Sequence, residues 1–187
     1  MDCIKIKNNI YWVGALDPEM KIFDIVFKAD HGTTYNSYLI KDEKTALIDT
    51  VKKPFTSEFL SRLKSQIDLK DIDYIILNHT EPDHSGALPE LIKYANNAKI
   101  MVSKAGGHLL KNIINVPVDL TIIEDSAGVD LGSCELRFIS APYLHWPDTM
   151  FTYLKEDKIL FPCDFLGCHY SDKKLFNELV DDFNYAF

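Results

Sequence analysis

The chain of 187 residues contains no apolar run approaching the roughly 20 residues that a membrane-spanning helix needs. Its start, MDCIKIKNNIYWVG, lacks a basic segment followed by an apolar one, so no export signal is expected and the cytoplasm is the expected location. Positive charge is scarce: 20 Lys and Arg face 28 Asp and Glu, for a net charge of −8 and a pI near 5.2. That balance excludes nucleic acid as a main partner, because phosphate binding needs a basic footprint. Cysteine is scarce too. None of the four, Cys3, Cys134, Cys163 and Cys168, forms a C-x-x-C pair, and the five-residue offset of Cys163 and Cys168 is not a zinc spacing. They are expected to be reduced and mostly buried thiols. Repeats, low-complexity tracts and linkers are absent, which leaves one domain over 1–187.

What is present is an ordinary globular composition, 47% hydrophobic and 26% charged, arranged in short runs. IYWVGA (10–15), TTYNSYLI (33–40) and TALIDT (45–50) read as strands separated by turn residues. PFTSEFLSRLKSQI (54–67) places Phe55, Phe59, Leu60, Leu63 and Ile67 at helical spacing. DYIILN (73–78) reads as a buried strand, 85–95 as a helix, 98–103 as a strand and 106–114 as a helix. Further strands are expected near 119–124, 134–140, 149–154 and 158–163, and a helix over 173–187. Hairpin-like groups followed by alternating strands and helices predict two sheets with helices packed outside them, a layered α/β architecture.

One stretch carries chemistry. HTEPDH (79–84) puts His79, Glu81, Asp83 and His84 between a strand end and a helix start, where both flanks hold geometry firmly. Four ligands from one loop are too many for one ion that also keeps an open position, so two neighbouring ions are the natural reading. His145, in APYLHWPD, and Asp164, in KILFPCDFLG, each follow a strand and extend the set. An aspartate has two oxygens and can bridge both ions. One ion would take His79, Glu81, His145 and Asp164. The other would take Asp83, His84 and Asp164, and lack a ligand.

H-x-E-x-D-H, followed by His145 and Asp164 at these spacings, resembles the di-iron domain of the flavodiiron proteins, a branch of the metallo-β-lactamase superfamily. NNIYWVGALD, GTTYNSYLI, TALIDTVK, DIDYIILNHTEPDHSGALPEL, LHWPDTMFTYL and ILFPCDFLGCHY extend the resemblance from about residue 4 to 182. It implies an αββα sandwich with two non-haem irons at one edge. It implies reduction of O2 to water, of NO to N2O, or both, with electrons arriving through FMN in a flavodoxin-like domain and from rubredoxin. The same six residues match the family's ligands, with Asp164 bridging. In some members the histidine matching His84 turns away and water replaces it. Hydrolytic relatives of the superfamily carry H-x-H-x-D-H and hold zinc. Glu81 in place of that second histidine is a harder ligand and favours iron. Three carboxylates, Glu81, Asp83 and Asp164, offset most of the charge of two divalent irons and stabilise their ferric state.

The family has a last histidine ligand beyond the aspartate, and the chain ends at Phe187 before one. His169, the one histidine downstream of Asp164, is expected beside the site and hydrogen-bonded to its ligands. His31 is expected to reach the pocket, and Trp146 and Tyr143 to shield it. His108 is expected at the surface. The chain is thus expected to be a metallo-β-lactamase-like di-iron domain lacking its last segment, with no flavodoxin-like domain and no FMN bound by itself. A truncated or split gene with self-association into a homo-oligomer is expected to cover the open face. A zinc hydrolase of the same superfamily, and a non-catalytic fragment that self-associates, are the alternative readings.

Overall fold

The apolar runs sort into two sheets. The computed structural model describes residues 3–180. The larger sheet has seven strands in the order Ile4–Lys7, Ile10–Trp12, Tyr38–Ile40, Ala46–Ile48, Tyr74–Leu77, Lys99–Ser103 and Leu120–Ile123. The first four pair antiparallel, and Ala46–Ile48 onward pair parallel. The smaller sheet is antiparallel, in the order Gly128–Asp130, Glu135–Ser140, Met150–Leu154 and Ile159–Phe161. Two short ribbons lie apart from both, Ala15–Asp17 with Thr33–Tyr35, and Ile22–Phe23 with Phe27–Lys28.

Side chains alternate along each strand, and the alternation divides the core. Leu47, Ile75, Leu77, Ile100 and Val102 point to one face of the large sheet, where they meet the helices. Ala46, Ile48, Ile76 and Met101 point to the other, where they meet Leu136, Phe138, Met150, Leu154 and Phe161 of the small sheet. Parallel neighbours need crossovers, and helices supply them. These are α1 (Thr56–Gln66), α2 (Pro82–Ser85), α3 (Leu88–Leu91) and α4 (Lys104–Ile113). Their buried apolar residues, among them Phe59, Leu63, Leu88, Leu91 and Leu110, all enter the first cluster. No helix among the described residues is long and apolar enough to cross a membrane.

The layered α/β expectation therefore holds, with four differences, the first being that the run 33–40 is two strands, Thr33–Tyr35 in a ribbon and Tyr38–Ile40 in the large sheet. The helix expected over 85–95 is two short helices that start earlier, at Pro82. Proline favours the first helical turn, and a break after Ser85 lets Gly86 press against the Val51–Lys53 backbone. A Cβ there would stand 2.6 Å from the Lys53 nitrogen. The helix expected over 173–187 is not formed over 173–180, which hold turns and a 3-10 turn at Asn177–Leu179 that buries nothing. Its remainder, 181–187, lies outside the described residues. Helices were expected outside both sheets; among the described residues no α-helix buries a side chain on the outer face of the small sheet, where Ile139 and Leu160 are exposed. The four cysteines are free as expected, but none is fully buried and Cys168 is exposed, because none lies on a strand or helix face that enters the core.

Candidate metal centre

Parallel strands deliver their C-terminal ends to one edge of a sheet, and loops leaving that edge converge. The strand Tyr74–Leu77 runs straight into Asn78 and His79. Asn78 is fully buried and stitches this edge to the small sheet. Its side-chain amide donates to the Phe161 carbonyl at 2.8 Å, its side-chain oxygen accepts from the Thr152 hydroxyl at 2.7 Å, and its carbonyl accepts from Met150 N–H at 2.9 Å. These bonds set the loop after Phe161, which carries Asp164, and the loop before Met150, which carries His145, against residues 79–84.

All six expected ligands meet there. Ligating atoms of His79, Glu81, His145 and Asp164 lie within 4.8 Å of one another, as do those of Asp83, His84 and Asp164. Asp164 belongs to both groups. Its Oδ1 lies 2.9 Å from His84 Nε2, and its Oδ2 lies 3.8 and 3.9 Å from the Nε2 atoms of His79 and His145. His84 Nε2 faces Asp83 and Asp164, so the ring is turned inward. Asp83 and His84 sit in the first turn of α2 rather than in the loop, while Glu81 occupies the position before it. His79, Glu81 and His84 are buried; the His145 side chain is half exposed.

The electrostatics follow from this crowding. Burial would lower the basicity of His79, but its bonds to Asp148 and Glu81 outweigh burial and push it up to about 9. Burial likewise opposes charge on His84, and the facing Asp83 and Asp164 raise it well above the usual range. Asp164 is drawn the other way: burial raises it, yet the His84 charge and bond hold it down near about 2. Asp83, mostly buried among like charges, is raised. One Asp83 oxygen, Oδ1, is buried without any hydrogen-bond donor. A carboxylate oxygen with no donor, beside two further carboxylates and three imidazoles, fits a cation and little else.

A pH dependence follows with a definite sign. A group whose folded pKa lies above its unfolded value stabilises below the unfolded value and loses that contribution as pH rises through the folded one. For His79 the window runs from 6.5 to about 9. Chelator-stripped protein is expected to lose on the order of 2–3 kcal/mol across it. Metal affinity is expected to rise over the same window, because imidazole must shed a proton to ligate. Melting temperatures of stripped and metal-loaded protein at pH 6.5 and 9 check this; equal pH dependence in the two would refute it.

Other expected neighbours divide. The Trp146 ring meets His79 edge-on at 5.1 Å and covers it. Tyr143 does not shield the site, being 77% exposed with a left-handed backbone (φ 65°) that turns it to solvent. His169 bonds Thr33 Oγ1 at 3.1 Å and packs on Phe23; no bond between it and the six ligands is found among the described residues. His31 is exposed and stacks on Tyr170. His108 is exposed as expected.

Three acids escaped the sequence reading. Asp148 is buried, and its carboxylate accepts from His79 Nδ1 at 3.1 Å and from Thr80 N–H and hydroxyl at 2.8 and 2.7 Å. Asp49, also buried, accepts from Asn78 N–H at 2.8 Å and approaches His84 Nδ1 at 3.5 Å. Asp24, at the turn of the Ile22–Lys28 ribbon, has its carboxyl raised by burial and by a hydrogen bond to Glu81. An acid ending an apolar strand in TALIDT, and one three residues past His145, were the available signals.

A family model described as ODP family beta lactamase matches residues 33–187. The chain is 50% identical to Flavo-diiron protein FprA2 of Clostridium acetobutylicum over 182 residues, covering 96% of this chain and 46% of that protein. It is 44% identical to Anaerobic nitric oxide reductase flavorubredoxin of Vibrio vulnificus, covering 95% of this chain and 37% of that one. Among solved structures, the flavodiiron protein from Giardia intestinalis superposes with a TM-score of 0.92 at 36% identity, over 97% of this chain and 44% of that one. Rubredoxin oxygen:oxidoreductase from Desulfovibrio gigas gives 0.89 at 34%, over 92% and 43%. The chain spans less than half the length of these relatives.

Proposed function

We infer what the chain does from a fixed premise: it belongs to the ODP family of β-lactamase-fold proteins and is a flavodiiron metallo-β-lactamase-like domain. The function we propose is that of the di-iron domain of an oxygen or nitric oxide reductase, fed with electrons through FMN and from rubredoxin. The observation that carries it is the pair of ligand groups joined at Asp164, with mixed imidazole and carboxylate donors. Bound there, two irons would supply electrons and open positions for O2 or NO. His79, Glu81, His145 and Asp164 would hold one iron, and Asp83, His84 and Asp164 the other.

The protein's own residues do the rest. Three carboxylates offset most of the charge of two divalent cations and leave the buried centre with about one positive charge. Hard carboxylate oxygens, Glu81 among them, favour iron over zinc. Buried His79 and His84 and the edge of Trp146 keep water from the inner side of the centre, while half-exposed His145 and Asp164 border its open side. In this reading the protein works in the cytoplasm as a homo-oligomer.

Elemental analysis of anaerobic protein produced with iron and zinc both supplied tests the reading. Two irons per chain are expected. With an added flavodoxin-type donor, consumption of O2 or NO is then expected to depend on that iron. Two zincs would instead favour the hydrolase, and no metal would leave the chain without the chemistry proposed.

A further inference from the structure

Of the three histidines in the two ligand groups, His79 is the most completely enclosed, and it alone has its far ring nitrogen hydrogen-bonded among the described residues. Asp148 Oδ1 and Oδ2 lie 3.1 and 3.2 Å from His79 Nδ1. Both residues are buried, at 0% and 1% exposure. A carboxylate only accepts, so Nδ1 keeps its hydrogen toward Asp148 when Nε2, which faces Glu81, sheds its own to ligate. Nε2 is then the atom turned to the ligand group, 3.0 Å from Glu81 Oε2 and 3.8 Å from Asp164 Oδ2. His84 Nδ1 lies 3.5 Å from Asp49, an approach too long for a bond, and the described contacts show no carboxylate behind the exposed His145.

Asp148 is itself held on two sides. Thr80 N–H and its hydroxyl both donate to Oδ2. The Asp148 carbonyl accepts from the Ser103 hydroxyl at 2.8 Å, and Ser103 Oγ accepts from Gly106 N–H to cap α4. Asp148 therefore joins a helix start through its carbonyl, and the loop of His79 through its carboxylate, to the loop of His145.

We propose that Asp148 is the positioning residue of this centre: it locks His79 as an Nδ1–H tautomer with Nε2 presented to metal, and so prebuilds the first ion site. The proposal rests on the metal-binding reading above and adds a positioning residue to it. A neutral imidazole ligates through a lone pair, and a ring free to flip or change tautomer offers that lone pair only part of the time.

Zinc(II) alone serves as the probe, being diamagnetic. In zinc-loaded wild type, nitrogen-15 NMR of the histidine rings is expected to show a His79 Nδ1–H that exchanges slowly with water. Asp148→Ala is expected to lose that signal and to weaken zinc, measured by chelator competition, by roughly 10–100-fold. Asp148→Asn keeps the shape and one acceptor, and is expected to recover part of both. Thr80→Val removes a bond to the same carboxylate without touching His79, and is expected to change zinc affinity by less than about threefold and to keep the signal. If wild type binds zinc and Asp148→Ala and Asp148→Asn match its affinity and ring signals, the proposal is overturned while the metal reading stands. If Thr80→Val weakens zinc as much as Asp148→Ala, the carboxylate only braces the loop and the proposal is overturned. If wild type binds no metal, both fall.

Discussion

Asp164→Ala is expected to take the protein from two bound metal ions to one at most. Asp164 is the member common to both ligand groups. Without it one group keeps His79, Glu81 and His145, and the other keeps only Asp83 and His84. Three protein donors can hold an ion with solvent completing its shell; two donors hold one poorly. The affinity of the remaining ion should fall by more than the roughly 10–100-fold that loss of an outer-shell partner costs. Asp164→Asn separates charge from shape. It keeps an oxygen near His84 but removes the charge that His84 and His79 now face, so it should bind more weakly than wild type and better than alanine. Metal per chain, measured after gel filtration through a metal-free buffer, decides. Two ions retained by Asp164→Ala would remove the bridging role.

Asn78→Leu is expected to destabilise the fold by about 4 kcal/mol and to loosen the metal centre with it. The substitution conserves volume approximately, so cavity formation is not the main effect. It leaves the Phe161 carbonyl and the Thr152 hydroxyl without their partner, and Thr152 is fully buried. Each orphaned buried group costs about 1–3 kcal/mol, and the two do not share a substitute. Because Asn78 precedes His79 and fixes Phe161, three residues before Asp164, the same change shifts two ligand loops relative to one another. Urea unfolding gives the stability and chelator competition gives the affinity. A cost below about 1 kcal/mol would mean that the cross-sheet bonds are replaced by water and do not hold the site. A second variant, Thr152→Val, removes one of the two bonds and should cost less.

The six candidate ligands that the fold brings together were legible as residue types because metal chemistry restricts the choice so severely. Imidazoles and carboxylates crowded into HTEPDH have few other uses, and His145 and Asp164 follow strands whose apolar runs are themselves plain. The two-group partition was legible as well, since one loop cannot wrap a single ion with four donors. What supports the ligands was much less so. Asp148 and Asp49 are single acids in loops, and the end of TALIDT and the nearness of His145 are weak signals beside the crowded HTEPDH. The turn of Tyr143 into solvent depends on a left-handed backbone that its sequence does not advertise. The tail shows the opposite failure: Leu175, Phe176 and Leu179 have helical spacing, yet Leu179 is 52% exposed and Asn177–Leu179 forms only a 3-10 turn. Periodicity marks a helix only where a surface receives its stripe.

By itself, then, the sequence determined the alternating strands, the helices that must cross between parallel neighbours, and the identity of the donors, because side-chain period and ligand chemistry are local properties. Tertiary structure alone decided that Asn78 joins the two sheets, that His84 faces inward, and that a buried Asp148 stands behind His79. Those depend on where segments 69 or more residues apart come to rest, and hydrogen bonds between such segments leave no pattern along the chain.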